Sequence, residues 1–235
     1  MKNIYKPDER LSMLSDMVRQ SSRVLDVGTD HAYLPVYLVH SGKCPSAVAS
    51  DVKKGPLANA RETVALCDMQ SKISLYLSDG LDGVPENCAD DIVIAGMGGN
   101  LIAEIVGRCE WLKNKNIRLV LQPMTHVEDV RRCLFENGFE IVEENTCFCD
   151  GRVYLALSAE YTGQIQLHDE KVWYVGRLDK TVRDKESALV FLRKNLGRIR
   201  QRIDALTAAR PDSDEIPSLT KAETAIKDAI GELKK

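Results

Sequence analysis

Carboxylates stand at the ends of the first three apolar segments that the sequence predicts to be β-strands. Asp26 lies at the end of the first segment, two residues before Gly28, and Asp30 lies two residues beyond that glycine. Asp51 ends the second segment and Asp79 follows the third. Because parallel strands present their carboxyl ends along one edge of an open sheet, these side chains should meet around a ligand, with backbone N–H groups at Gly28 facing it. The GxGxxG spacing of a pyrophosphate cradle is absent, and two carboxylates would repel a pyrophosphate, which favours a cationic ligand.

The spacing of these acids also favours an adenosine-bearing cofactor. Asp51 lies about twenty residues past the glycine turn, where a carboxylate accepts hydrogen bonds from ribose hydroxyls. Asp79 could accept one from an adenine amino group. Taken singly, Asp51 also fits a solvated strand end, and Asp79 fits a turn or a helix cap. S-adenosylmethionine (SAM) combines an adenosine with an ammonium and a sulfonium group, and it therefore suits all of these carboxylates.

Glycines dominate the segment after the fourth predicted strand, which reads Ala95-Gly96-Met97-Gly98-Gly99. Three glycines in four residues let a ligand approach the backbone closely, at the point where a methyl donor and its acceptor would meet. Methyltransferases that act on exocyclic adenine amines commonly carry Asp or Asn, two prolines and an aromatic residue here. Because that tetrad is absent, we expect an acceptor other than an exocyclic amine held in that way.

Short apolar runs alternate with helical patterns over the first 160 residues, which predicts a doubly wound α/β sheet with right-handed crossovers. The predicted strands cover residues 23–27, 47–51, 73–77, 91–95, 117–122, 140–146 and 152–159, and the predicted helices cover 34–41, 56–67, 101–108 and 126–137. Since only residues 149–151 separate the last two strands, these should form a hairpin with one strand antiparallel at the sheet edge. A mostly parallel sheet that ends in such a hairpin is the arrangement of the class I SAM-dependent methyltransferases.

The C-terminal third follows a different pattern. Apolar residues recur at 3–4 spacing through most of 175–206, which predicts one long helix over 170–207 with a coiled-coil seam. A turn at 209–217 precedes a second, shorter seam at 219–233, so we expect an antiparallel helical hairpin. The seam can close within one chain, giving the monomer that we expect, or between two chains, giving a dimer.

These two parts are predicted as separate domains, a Rossmann-like methyltransferase domain at 1–163 and a helical coiled-coil domain at 164–235. The formal charge of −3 hides a difference between them: 17 Lys and Arg stand against 23 Asp and Glu over 1–164, but 15 stand against 12 over 165–235. Nine basic and three acidic residues fall within 177–202. This asymmetry indicates a nucleic acid as the partner of the helical part, although a solvated helix face has the same composition.

The composition excludes several classes of protein. With 235 residues, 44% hydrophobic and 29% charged, the chain is typical of globular proteins and unlike collagen or a disordered chain. Apolar runs are only a few residues long and the N-terminus lacks a signal-peptide core, so we expect no membrane association. Seven cysteines without a CxxC pair predict reduced thiols in a cytoplasmic protein and no metal site.

Five segments carry a resemblance to a known family. They are Asp26-Val-Gly-Thr-Asp-His-Ala-Tyr-Leu-Pro35, Lys54-Gly-Pro-Leu-Ala-Asn-Ala60, Ser78-Asp-Gly80, Ala95-Gly-Met-Gly-Gly99 and Leu121-Gln-Pro123. Together they resemble the bacterial tRNA adenine N1-methyltransferases that modify adenine 22, a similarity that extends over the whole chain. Two positions depart from the family pattern: Thr29 stands where Ser is usual, and Met124 where some members carry Asn. The resemblance implies methyl transfer from SAM to N1 of an adenine in tRNA, which must be unpaired or flipped out because N1 lies on its pairing edge.

The resemblance and the strand ends together predict the site residues. Contacts to SAM are expected from Asp26, Gly28, Thr29, Asp30, Asp51, Val52, Asp79, Gly80, Gly96 and Met97. Catalytic or base-positioning roles are expected for Arg10, His31, Asn59 and Tyr33, the last by stacking on the flipped base. RNA contacts are expected from Arg193, Lys194, Arg198, Arg200 and Arg202. A helix cap for His31 and a surface ion pair for Arg10 are the alternative interpretations.

Two other functions agree with many of the same residues. The first is a SAM enzyme that acts on a small molecule or a protein, for which the basic helix would be unimportant. The second is a non-catalytic RNA-binding or coiled-coil adaptor on a methyltransferase-like fold, against which the intact acidic strand ends and the glycine segment argue. Adenine 22 as the modified position follows from the resemblance alone.

Overall fold

The computed structural model describes residues 6–166, 168–178 and 182–235, which contain a seven-stranded sheet with helices on both faces. The strands are β1 (Val24–Val27), β2 (Ala47–Asp51), β3 (Ile73–Leu77), β4 (Asp91–Gly98), β5 (Arg118–Thr125), β6 (Phe139–Cys149) and β7 (Arg152–Tyr161). The helices are α1 (Glu9–Met17), α2 (Tyr33–His40), α3 (Lys54–Leu66), α4 (Gly99–Arg108), α5 (Val127–Glu136), α6 (Glu170–Tyr174), α7 (Lys185–Ala209) and α8 (Glu215–Leu233). The predicted strands and the four helices predicted between them are all present, within a few residues of the expected bounds.

The order of the strands places the ligand edge of the sheet between β1 and β4. The strands follow the order β3-β2-β1-β4-β5-β7-β6, and β1 pairs in parallel with both β2 and β4. Ile92, Val93 and Ile94 of β4 are fully buried, because helices cover both faces of the sheet. The order reverses between β1 and β4, so their carboxyl ends form the switch point where open α/β sheets bind ligands.

The hairpin at the end of the sheet is present, but its antiparallel strand lies one place further in than predicted. β7 runs antiparallel to both β5 and β6 and lies between them, so that β6 is the edge strand. Asp150 and Gly151 have φ values of +48° and +71°, as a tight hairpin turn requires. The burial of the two strands agrees with this order: Leu157 of β7 is fully buried, whereas β6 exposes Val142 and Phe148, as an edge strand can.

Helix α1 lies outside all of the predicted elements. The carboxylate of Asp8 caps it by accepting a hydrogen bond from the Leu11 N–H at 2.8 Å, and Leu14 and Met17 are buried. The helix packs against β6 and β7. The sequence contains a signal for this helix: Asp8 and Glu9 precede apolar residues at spacings of three and four, a pattern typical of a capped amphipathic helix.

The single helix predicted over 170–207 is wrong, because the chain breaks it between α6 and α7. After α6 the backbone turns at Gly176, whose φ is +66°. The buried guanidinium of Arg131 donates to the carbonyl oxygens of Trp173 and Val175, which a continuous helix would bond to its own N–H groups. Apolar spacing persists across the break because both segments contribute to the same hydrophobic core.

Helix α7 begins anew where the carboxylate of Asp184 accepts hydrogen bonds from the N–H groups of Glu186 and Ser187. Residues 179–181, which include Lys180 of the basic stretch, lie outside the described residues. The predicted hairpin is present: α7 packs against α8, and the apolar seam between them closes within the chain. Within the described ranges, no helix is long and apolar enough to cross a membrane.

Leu192→Ala should lower the free energy of unfolding by about 2–5 kcal/mol, because it deletes a fully buried side chain of α7. One hydrophobic cluster runs through α7, α8 and the sheet, so urea unfolding should remain a single transition by circular dichroism and tryptophan fluorescence. Arg193→Ala, at the adjacent exposed position, is the control and should change the free energy by less than ~0.5 kcal/mol. Two separate transitions would indicate that 164–235 folds as an independent domain.

Candidate active site

The turn after β1 packs tightly between β2 and β4. Gly28 has a φ of +78°, and the N–H groups of Gly28 and Thr29 donate to the Ser50 carbonyl oxygen at 2.8 and 2.9 Å. A Cβ atom on Gly28 would lie 2.1 Å from Cε of Met97 on β4. These two N–H groups, which were expected to face a ligand, are therefore used inside the fold. The glycine instead allows the two strands of the switch point to approach each other.

The glycine-rich segment is part of β4 rather than a loop. The pairing of β4 with β5 shifts register between Ala95 and Met97, which leaves the exposed Gly96, at a φ of +76°, as a bulge. Gly99 has a different role, since a Cβ there would lie 2.2 Å from the carbonyl oxygen of His126. The fold itself thus requires Gly99, and among these glycines Gly96 is the one that lines the cavity described next.

A cavity of about 640 Å³ opens at the switch point, within the usual size range of small-molecule sites. It brings together eight of the predicted residues: Arg10, Asp26, Gly28, Thr29, Asp30, His31, Tyr33 and Gly96. Leu11 and Leu14 of α1 and Tyr37 of α2 also line it, and sequence reasoning missed all three. Tyr37 stands one helical turn after Tyr33, a spacing that places both rings on one face of α2 and could have indicated it.

Asp26 is the buried carboxylate of this cavity. Burial, and to a smaller extent the nearby Asp51 carboxylate, raise the pKa of Asp26 to about 6, although Thr29 and the Arg10 guanidinium lower it. Since the folded-state pKa is above the ordinary value, the protonated carboxyl contributes stability at low pH that is lost as the pH rises through about 6. A bound cation would act in the opposite direction by favouring the carboxylate.

Arg10 reaches from α1 to the glycine bulge. Its Nη1 donates to Oε1 of the fully buried Gln122 at 3.2 Å, and its guanidinium carbon lies 5.8 Å from the centre of the Tyr154 ring. A Cβ on Gly96 would lie 3.5 Å from Nη1. The amide of Gln122 in turn donates to the sulfur of Met124 at 3.3 Å. Arg10 is therefore held by interior contacts, and among the described residues it forms no surface ion pair of the kind considered above.

His31 and Tyr33 form a stacked pair in the cavity wall, with ring centres 5.0 Å apart and planes 9° from parallel. Nε2 of His31 lies 3.4 Å from Oδ2 of Asp30, and both side chains are exposed. Helix α2 begins after Ala32, at a φ of +54°, without a side-chain cap. His31 is therefore not the helix cap considered above, and the pair presents a flat surface on which a base can stack.

The predicted contacts to an adenosine lie beside the cavity, at the ends of β2 and β3. Oδ1 of Asp51 accepts a hydrogen bond from the Lys53 N–H at 2.8 Å, and the Val52 side chain is 58% exposed. Oδ1 of Asp79 accepts one from Nη2 of Arg108 at 3.1 Å. Each carboxylate thus uses one oxygen within the protein, while the exposed Val52 provides an apolar surface beside them.

Gly80 and Asn59 both lie away from the cavity, and packing explains only the glycine. Gly80 has a φ of +56°, and a Cβ there would lie 3.1 Å from Cγ1 of Ile105, so the glycine lets α4 approach the turn. Asn59 is exposed on α3, and its backbone carbonyl accepts a hydrogen bond from the Thr63 hydroxyl at 3.0 Å. Neither residue lines the cavity, so the geometry gives no support to base positioning by Asn59.

The predicted RNA-binding residues divide into two groups. Three of them form ion pairs: Arg198 with Glu128 at 3.6 Å, Arg200 with Glu223 at 2.9 Å and Arg202 with Glu215 at 3.0 Å. Arg193 and Lys194 are exposed and form no ion pair within the described part of the chain. The basic face of α7 is therefore less cationic than its sequence indicates.

Over the described ranges, no three His, Cys, Asp or Glu side chains are grouped as a metal site would require.

Comparison with known proteins agrees with this geometry. Residues 8–157 match the family described as "Methyltransferase domain", so the sheet and its switch-point cavity define a Rossmann-like methyltransferase domain. The chain is 33% identical over 192 residues to the tRNA (adenine(22)-N(1))-methyltransferase of Bacillus subtilis. The aligned region covers 82% of this chain and 81% of that protein. The chain therefore belongs to the family of the tRNA (adenine(22)-N(1))-methyltransferases.

Solved structures agree with that assignment over nearly the whole chain. The crystal structure of the B. subtilis M1A22 tRNA methyltransferase has a TM-score of 0.81 at 30% identity and covers 96% of this chain and 99% of its own. A candidate tRNA (m1A22) methyltransferase of Streptococcus pneumoniae, solved in complex with SAM, has a TM-score of 0.76 at 34% identity. It covers 96% of this chain and 100% of its own. The similarity thus includes the C-terminal helical hairpin.

Gly28→Ala should lower the free energy of unfolding by about 1–2 kcal/mol, because a side chain at a φ of +78° is strained. The facing atom is the flexible end of Met97, so adding Met97→Ala should relieve the contact without recovering this loss. Gly197→Ala is the control: Gly197 lies within α7 with open space around it, and alanine there should stabilise the helix by about 0.5–1 kcal/mol. Full recovery by Met97→Ala would contradict backbone strain as the cause.

Proposed function

We propose that this protein transfers the methyl group of SAM to N1 of an adenine in tRNA, at position 22 as in its B. subtilis relative. One observation carries the proposal: the switch-point cavity holds a buried carboxylate, a glycine bulge, a fixed arginine and a stacked aromatic pair. These are the groups that a cationic methyl donor and a flipped purine require, and they occur in a chain 33% identical to a tRNA (adenine(22)-N(1))-methyltransferase.

The residues at the strand ends fit SAM. The carboxylate of Asp26 would bind the ammonium group, and the exposed bulge at Gly96 leaves the backbone open to the methionine part. Asp51 would accept hydrogen bonds from the ribose hydroxyls with the oxygen that Lys53 does not use. The exposed side chain of Val52 would pack against the adenine ring, and Asp79 would accept from its amino group.

The acceptor side of the cavity fits a flipped adenine. When bound, SAM supplies a sulfonium methyl group that the N1 lone pair of adenine can take directly, so no strong general base is required. Tyr33, stacked on His31, would hold the extruded base by its face. Methylation leaves the adenine cationic, and the carboxylates of Asp26 and Asp30 would stabilise that charge. Arg10, oriented by Gln122, would position the base or its phosphate.

The helical hairpin would bind the tRNA backbone. Arg193 and Lys194 are the first candidates, because their charges are exposed and are not offset by ion pairs with described residues. To bind tRNA, Arg198 and Arg202 would have to exchange a carboxylate partner for a phosphate. Both also line a second cleft of about 550 Å³, and His126 lines it too. The cleft begins at the carboxyl end of β5, on the same edge of the sheet as the cavity.

Incubation of the protein with SAM and unmodified bulk tRNA should yield 1-methyladenosine on nucleoside analysis. SAM should also raise the Tm, and Asp51→Ala should abolish this shift at the same SAM concentration, because the ribose loses its acceptor. Glu62→Ala removes an exposed carboxylate from α3 and should keep the shift. The absence of any shift in the unaltered protein at millimolar SAM would contradict the proposal.

The salt dependence of tRNA binding separates tRNA from other methyl acceptors. Arg193→Glu/Lys194→Glu should weaken tRNA binding and lower the slope of log K against log salt by about 2, without changing SAM binding. The matched control is Lys72→Glu/Lys115→Glu, which reverses two exposed charges at the amino ends of β3 and β5. An unchanged tRNA affinity and salt slope would favour a small-molecule or protein substrate.

The affinity for SAM should depend on pH through Asp26. The Kd should be nearly constant above pH 7 and should rise as the pH falls below about 6, by at most about tenfold per unit, because protonation removes the charge that holds the ammonium group. Asp26→Asn should weaken binding at pH 8 and flatten the profile in calorimetric titrations. A flat profile in the unaltered protein would mean that another group binds the ammonium.

A further inference from the structure

A fully buried ion pair joins α5 to the edge strand β6 and also holds the chain that leads to the hairpin. Nε and Nη2 of Arg131 donate to the two carboxylate oxygens of Glu144 at 2.7 and 3.1 Å, and both side chains are 0% exposed. Arg131 also donates to the carbonyl oxygens of Trp173 and Val175, at 2.7 and 3.4 Å. The Arg177 N–H donates to Glu144 at 2.7 Å.

The backbone crosses this ion pair at Gly176. A Cβ atom there would lie 2.1 Å from Oε2 of Glu144 and 2.6 Å from Cζ of Arg131. With a φ of +66° as well, a side chain at this position would be strained and would displace the backbone or the ion pair. The charged groups are thus fitted to the backbone of residues 173–177.

Stability alone does not account for such a pair. Replacing a buried ion pair by apolar side chains of similar volume is often neutral or stabilising, because the cost of removing two charges from water offsets their attraction. Apolar side chains could not, however, make the three hydrogen bonds to the backbone of 173–177. Those bonds fix the path of the backbone at the end of α6, before the chain continues to α7.

We propose that Arg131, Glu144 and Gly176 form a clamp that positions the helical arm, α6 to α8, relative to the methyl-transfer cavity and so sets the affinity for tRNA. The inference rests on the proposed function. On the catalytic side of the clamp, His126 is the residue just before α5, and its carbonyl oxygen packs against Gly99 at the start of α4. On the other side, α6 packs against α8, the second helix of the hairpin.

Helix α7 also packs directly on β6 and β7, so a change in the clamp would shift the arm rather than release it. The cofactor contacts at β1 and β2 would remain unaltered. The cavity and the arm would hold one tRNA at two separate points, and the second contact strengthens binding only while the geometry allows both at once. The clamp residues are positioning residues, because none of them lines the cavity. Their loss should raise the KM for tRNA and leave the Kd for SAM unchanged.

The test is the double variant Arg131→Met/Glu144→Leu, which removes both charges and keeps apolar bulk. We expect its KM for tRNA to rise about tenfold or more, with a smaller change in kcat and a SAM Kd within about twofold of the unaltered protein. The matched control, Arg118→Met/Glu160→Leu, removes an Arg–Glu pair of 2.6 Å between β5 and β7 and should keep the KM for tRNA. Gly176→Ala retains all charges but displaces the same backbone, and it should also raise the KM for tRNA.

Two results would overturn the proposal: an unchanged KM for tRNA in the folded double variant, or an equal loss of tRNA and SAM affinity, which would make the pair a support of the whole fold. If the double variant does not fold, Gly176→Ala decides by the same two measurements. Failure of the unaltered protein to methylate tRNA would contradict the proposed function instead. Hydrogen exchange at the amides of 173–177 would then still test the clamp, since it should be faster in the Arg131→Met/Glu144→Leu variant than in the matched control.

Discussion

The close approach of β1 and β4 at their carboxyl ends is the constraint on which the candidate site depends. Gly28 has no side chain to hold Met97 away, and the Ser50 carbonyl oxygen ties the turn after β1 to β2. The three strand ends are thereby locked into one edge before any ligand is present. Asp26 and Gly96 owe their positions to this packing, which is an apolar and backbone effect rather than an electrostatic one.

The electrostatics of the cavity follow from that packing. Asp26 is buried next to Asp51, which makes its ionisation unfavourable, and Arg10 compensates only in part. The carboxylates of such a site interact most favourably with a ligand that brings positive charge. They interact favourably again with the reaction product, because methylation makes the adenine cationic. The carboxylates on α5 and α8 have the opposite effect on the arm, where they neutralise three of the five cations that the sequence assigned to RNA.

Most of the sheet and about half of the candidate site could be predicted because both follow from local patterns. Buried apolar runs gave the strands, and the acids at their ends gave Asp26 and Asp51. The sequence could not distinguish Gly96 from Gly99, because a glycine indicates a close approach without indicating what approaches. At Gly96 the cavity is open, whereas at Gly99 the backbone of His126 occupies the space. Arg10 was found by resemblance, yet the helix that carries it was missed, so its contact with Gln122 could not be foreseen.

The broken helix shows why apolar periodicity is a weak guide to where a helix ends. Periodicity reports which side chains face the core, and the segments before and after Gly176 face the same core. A helix can end where other groups donate hydrogen bonds to its last backbone carbonyls. Here the donor is Arg131, which lies more than forty residues earlier on a different helix. Arg131 reads as one more polar residue of α5 until the fold places it beside Glu144. The break between α6 and α7 thus coincides with a polar contact between distant residues, inside a core whose apolar pattern alone predicts a straight helix.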